Sequence, residues 1–252
     1  MSRNFALIAL AALLAATACG GGGDETGKSR VARGTKKVDP ATAATIAGTV
    51  VFEGTPPQNA TISLASDPGC GTTPVTSESI LVDHGGLENV FVYLKDDLGS
   101  QYAFDVPTEP VTLDQKGCHY VPHVVGVRAG QVLQIVNSDN TMHNVHGMPE
   151  SNREFNVGQP VPGMKNPTTF TTPEVLIRFK CDVHSWMHAY VGVVDHPYFA
   201  VSGSGGKFEL KSIPPGTYTI EAVHEKLGRQ TQTITLGDKD AKTITFTFKP
   251  AV

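Results

Sequence analysis

The chain has 252 residues, enough for one large or two small domains, and 40% of them are apolar, enough for a real core. A formal net charge of -4 gives no reason to expect a nucleic-acid partner, and no run of Lys or Arg suggests a phosphate-binding stripe. Helical periodicity is almost absent beyond the first residues, and short alternating runs punctuated by Pro, Gly and Thr predict an all-β protein.

The first residues read as a leader. Arg3, an apolar run over 5–16 and small residues before Cys19 have the three parts of a secretory signal peptide, residues 1–18, and the run is too short to span a bilayer comfortably. Ala16-Thr17-Ala18-Cys19 resembles the lipobox of bacterial lipoproteins, which implies cleavage before Cys19 and its lipidation. An ordinary secreted protein cleaved near Ala18 is the other reading. Acyl chains would supply the membrane affinity. The expected place is therefore the cell envelope, facing the periplasm, and Gly20 after the Cys leans toward the outer membrane. Residues 19–44 are Gly, Ser, Thr, Ala, Lys and Asp without apolar pattern, a flexible linker with a reach of about 25 to 30 Å.

Strand, turn, strand follows in 46–52, Gly54-Thr55-Pro56-Pro57 and 61–64, and 89–94 is a further strand. The signal between Ser66 and Gly86 is weak, and that piece fits either neighbour. Farther on, in 175–181, the alternation puts Val175, Ile177, Phe179 and Cys181 on one face of a strand, with Arg178 and Lys180 facing away. Cys181-x2-His184-x2-Met187 then places a thiolate, an imidazole and a thioether on one tight loop. A metal needs another strong ligand, and Asn137-Ser138-Asp139-Asn140-Thr141-Met142-His143-Asn144-Val145-His146 offers imidazoles upstream. Two imidazoles, a thiolate and a weak thioether suit copper, because the sulfurs stabilise Cu(I) while the imidazoles serve both oxidation states. Zinc is less well served, since a thioether is a poor ligand for its tetrahedral sites.

On these residues the chain resembles the cupredoxins, the blue copper electron carriers, over 111–195. The short Cys-x2-His-x2-Met loop and His143-Asn144-Val145-His146 follow the amicyanin-like pattern, and 127–137 looks like the family's strand, Gly turn and strand that lead to the first ligand. The resemblance implies one type 1 copper held by His143, Cys181, His184 and Met187. It makes Asn144 the residue whose side chain ties the two ligand loops together. It also implies a redox partner protein, an electron exit at the edge of His184 near the surface, and an apolar docking patch of Val183, Trp186 and Tyr190, for which simple core packing is the equal alternative. By alternation His146 falls on the opposite face from His143. His119 and His123, beside Cys118, are a weaker candidate for a second metal, and His188 would compete for the axial place only in a distorted loop.

Of four cysteines, Cys19 is spoken for by lipid and Cys181 by copper, which leaves Cys70 and Cys118 for a disulfide; other pairings stay open. After the copper loop, 199–201, 205–210, 213–222, 230–236 and 242–248 continue as strands. Their Gly-x-Phe strand and Pro-Gly-x-Tyr turn resemble the second half of the carboxypeptidase regulatory-like, transthyretin-like β-sandwich, whose first half 48–64 resembles. The expected organisation is a Greek-key cupredoxin sandwich, 105–195, inserted into a discontinuous Ig/transthyretin-like sandwich of 45–104 with 196–250, at a loop tip. Three tandem modules are the alternative. There is no Ser-His-Asp arrangement and there are no paired carboxylates, so no catalysis is expected. The leading expectation is a membrane-tethered copper electron carrier. Copper storage, delivery or sensing stands beside it, as does a surface module in which the sandwich binds carbohydrate or protein; Tyr218 and Phe208 look like core positions rather than a binding platform.

Overall fold

The computed structural model describes residues 34–250. The signal peptide and Cys19 lie outside the described residues, as does the linker up to residue 33. Alternation is realised as short strands joined by turns: β1 (Ala44–Phe52), β2 (Thr61–Ile62), β3 (Val75–Thr76), β4 (Val82–Asp83), β5 (Gly86–Leu87) and β6 (Phe91–Leu94) come first. Then follow β7 (Val111–Gln115), β8 (Tyr120–Val121), β9 (Val124–Arg128), β10 (Val132–Asn137), β11 (His143–Met148), β12 (Phe155–Gln159), β13 (Lys165–Thr169), β14 (Glu174–Lys180) and β15 (His188–Val194). The last are β16 (Phe199–Val201), β17 (Lys207–Ile213), β18 (Gly216–His224), β19 (Gly228–Leu236) and β20 (Ala241–Phe248).

Four of the sheets fall into two pairs. One pair is β17-β1-β5-β4, with β20 parallel to β1, and β16-β6-β18-β19. Between these sheets lie Ile46, Val50 and Phe52 of β1, Val92 and Leu94 of β6, Ile220 of β18 and Phe246 and Phe248 of β20. The Tyr218 hydroxyl donates to Pro214 O at 2.7 Å, which closes the Pro-Gly-x-Tyr turn, and Phe208 and Tyr218 are both core residues. The second pair is β13-β10-β7-β8 and β12-β11-β14-β15-β9, around Leu113, Leu133, Ile135, Val145, Ile177, Phe179 and Val191. Gly130, at φ 89, makes the tight turn between β9 and β10, where Gln131 N donates to Arg128 O at 2.9 Å.

A third apolar cluster joins the two pairs: Phe91, Tyr93 and Val223 on one side, Val124 and Val194 on the other, with Phe199 and Tyr190 against them. Gly126 and Gly192 are partners across β9 and β15, and a Cβ on either would run into the Phe91 or Phe199 ring. Those two rings stack at 5.7 Å on the flat that the glycines leave.

Two expectations need correction. The linker does not run to residue 44. Gly34 N donates to Gly99 O at 2.8 Å and Ala103 N to Lys36 O at 2.8 Å, so this backbone finds partners along 99–103. Val175 does not share the face of Ile177, Phe179 and Cys181. Leu176 takes φ 59 at a register shift of β14, and the bulge turns Val175 and Leu176 both toward the cluster between the sheet pairs.

Candidate metal centre

β10 ends at Asn137, whose buried amide donates to Thr141 O at 3.0 Å and Gln159 O at 2.9 Å. This holds the turn that carries Asp139 and delivers His143 as the first residue of β11. From the other side β14 delivers Cys181 into the core, and the loop after it is closed by Met187 N donating to His184 O at 2.9 Å and Cys181 N donating to Met187 O at 3.1 Å. The Tyr120 hydroxyl bridges the two approaches, at 3.0 Å from Asn144 O and 3.1 Å from Lys180 O.

Three of the expected ligands meet. His143 Nδ1 and His184 Nδ1 are 3.0 Å apart, and Cys181 Sγ is 3.8 Å from His184 Nδ1. One ion with bonds of about 2.0 Å to nitrogen and about 2.3 Å to sulfur spans such separations. Met187 is buried in the same core, 1% exposed, at the end of the loop. Cys181 Sγ accepts from two backbone donors, His184 N at 3.4 Å and Asn144 N at 3.5 Å.

The outer nitrogens decide the tautomers. His143 Nε2 is 2.9 Å from Asp139 Oδ2, and His184 Nε2 is 2.8 Å from Asp67 Oδ2. Hydrogen bonds from Thr141 and then His184 hold the Asp67 carboxyl below its ordinary range, so it is an ionised acceptor. Each Nε2 therefore carries a proton and each Nδ1 offers a lone pair. Burial keeps the His143 imidazole neutral by pushing it below its ordinary value against the opposing pull of Asp139. Two lone pairs facing each other at 3.0 Å beside the buried Cys181 leave a place that a cation would fill. The donor set of two imidazoles and one thiolate, with a thioether close in the chain, fits copper.

The structure also shows what sequence reasoning missed. Asp139 accepts from Gly117 N at 2.6 Å and Cys118 N at 2.8 Å as well as from His143. Its only local signal is the Asn-x-Asp that precedes His143 by a turn's length. Asp67 had none, because it comes from the weakly patterned 66–86 segment, where it caps a single 3-10 turn, Pro68–Cys70. Cys70 and Cys118 form a disulfide whose sulfurs lie 3.6 Å from His184 Nε2 and 4.0 Å from His143 Nε2.

That segment overturns one expectation. His184 is only 2% exposed, because Asp67 and Cys70 cover the ring edge where the electron exit was expected. The expected docking patch also divides. Val183 is 50% exposed, whereas the Trp186 indole donates to Cys118 O at 3.1 Å beside the His184 ring, and Tyr190 packs on His123. Asn144 accepts from Asp182 N and donates to Asn156 Oδ1 at 2.5 Å and Asp182 Oδ2 at 3.1 Å, between β11 and the Cys181 loop. His146 points the other way, to Glu154 at 2.6 Å and Asp182 at 3.2 Å.

No protein-family model matches this chain, and no curated protein does. Solved structures similar to about a third of the chain include a copper-containing nitrite reductase from Thermus scotoductus SA-01, at 22% identity and TM-score 0.32 over 36% of this chain and 24% of that one. A copper(I) form of an amicyanin variant is similar at 21% identity and TM-score 0.31, over 35% of this chain and 86% of that one. A purple cupredoxin from Nitrosopumilus maritimus is similar at 18% identity and TM-score 0.29, over 33% of this chain and 98% of that one.

Proposed function

We propose that this chain is a type 1 copper electron-transfer protein, with His143, Cys181, His184 and Met187 as the ligands. The observation that carries the reading is the pair of imidazole lone pairs, fixed by Asp139 and Asp67, facing each other at 3.0 Å next to the buried Cys181. Copper supplies a one-electron couple when bound. The chain's own part is to hold both rings, the thiolate and the loop in one arrangement, so that little has to move when charge changes, and to keep water out. On this reading 105–195 is the copper domain within a sandwich of 45–104 and 196–250, and Cys19 carries the lipid that tethers it in the cell envelope, facing a redox partner in the periplasm.

Copper storage or delivery is the second reading. The closure of Asp67 and the Cys70–Cys118 disulfide over His184 favours it, since a covered ring edge lengthens the path of an electron and slows exchange of the metal. Copper addition is expected to give an intense visible thiolate-to-copper band, absent in Cys181→Ser; a band that persists in that variant sinks the ligand assignment. Repeated reduction and reoxidation with copper retained marks the carrier, whereas copper released on reduction marks storage.

A further inference from the structure

A second cluster lies where the two sheet pairs meet. His123 precedes β9, His188 opens β15, and Glu225 sits in the turn after β18, so three distant parts of the chain supply it. Their candidate ligand atoms lie within 4.8 Å of one another. His123 Nε2 is 2.6 Å from Glu225 Oε1, His188 Nε2 is 3.9 Å from Glu225 Oε2, and the two rings stand edge to face at 5.3 Å. The His123 and Glu225 side chains are 4% and 2% exposed.

The hydrogen bonding is incomplete in a way that points to a cation. His188 Nδ1 is 3.0 Å from Trp186 O, a pure acceptor, so the proton sits on Nδ1 and Nε2 carries a lone pair. That lone pair faces a carboxylate oxygen, and neither His188 Nε2 nor Glu225 Oε2 has a hydrogen-bond partner among the described residues, although Tyr190 bonds to the same carboxyl group and the half-exposed Lys226 Nζ stands 4.0 Å from Oε2. Two acceptors buried against each other cost free energy that a bound positive ion removes. A small cavity of about 10 Å³, at the lower limit for one water, opens on the His119 and Glu78 side of His123 and His188; Glu225 does not line it.

We infer that His123, His188 and Glu225 form a second metal site, for a borderline divalent cation of the Zn²⁺ class, clamping the turn after β18 to β9 and β15. Two imidazoles and a carboxylate without a thiolate suit Zn²⁺ and leave coordination positions open; they do not suit Cu(I), so the site differs in kind from the one at Cys181. In the loaded site the His123 proton belongs on Nδ1, on the side of Glu78 Oε2, which stands 3.8 Å away, outside hydrogen-bond reach but close enough to favour the N–H electrostatically. His119, which sequence reasoning paired with His123, turns to Gly117 O at 3.0 Å and takes no part.

The test is zinc-edge anomalous scattering from crystals of the full chain soaked in Zn²⁺, with calorimetric titration of Zn²⁺ into the copper-treated protein. A peak within bonding distance of His188 Nε2 and Glu225 is expected. The isosteric Glu225→Gln and the His188→Gln variants should each weaken that binding tenfold or more while the thiolate-to-copper band stays. No peak at this place, or zinc bound as tightly by both variants, overturns the inference; should a variant not fold, the peak in the unaltered chain decides alone. Loss of the visible band with the zinc peak retained is a failure of the copper reading only.

Discussion

That Cys181 and His184 stand side by side was legible because a tight loop keeps them neighbours in any fold. His143 needed the resemblance to be chosen over His146, and strand alternation agrees with the choice, since His146 faces Glu154 and Asp182. What no local pattern shows is the partner that orients a ring from across the molecule. Asp67 is 117 residues from His184, and only the fold brings the two to 2.8 Å. At this scale Asp139→Asn is expected to lower copper affinity about 10- to 100-fold, since an amide loses the charge that settles the His143 tautomer. Competition against a chelator of known affinity measures it, and an unchanged affinity would show that Asp139 does not position the ring.

Strand existence was readable along most of the chain because apolar alternation survives in β1, β14, β15 and β18. The bulge of β14 was not, since the alternation of Ile177 to Lys180 extends on paper back to Val175 and only packing against the cluster of Tyr93 and Val194 reveals the shift. β15 explains the glycines. It is buried on both faces, with Ala189, Val191 and Val193 in one core and Gly192 opposite Gly126 beneath Phe91. Gly192→Ala is therefore expected to cost on the order of 1–3 kcal/mol by overpacking, read as a lower urea midpoint with unchanged slope. Trimming the ring by Phe91→Leu in the same chain should recover part of the loss. Additive losses in the double variant would mean that the clash with Phe91 is not the cause.

Buried neutral histidines tie stability of the whole molecule to pH. Burial pushes His196 and His224 down to about 4 from the ordinary 6.5, and each accepts backbone N–H bonds on Nδ1, from Tyr198 for His196 and from Lys226 for His224. The unfolded chain binds these protons first, so their contribution is complete above about pH 6.5 and is lost as pH falls through 4. Each accounts for on the order of 2–3 kcal/mol over that range. Denaturant midpoints taken from pH 7 to pH 4 should fall, and His224→Gln should flatten the fall; a pH-independent midpoint would contradict the assignment. His196, whose Nε2 is 2.8 Å from Leu94 O, sits where the chain crosses from one sheet pair to the other, so acid should loosen that crossing.

By itself the sequence determined the all-β class, because alternation and turn chemistry are local, and it set an expectation for the kind of metal chemistry, because ligand softness belongs to residue types. It also brought out Cys70 and Cys118 as a candidate pair, through counting. Only the tertiary structure decided that the 66–70 segment closes over His184, that Asp67 and Asp139 set which ring nitrogens are free, and that His123, His188 and Glu225 meet. These contacts join residues that share no strand, turn or spacing, and their energy exists only once the sheets have packed.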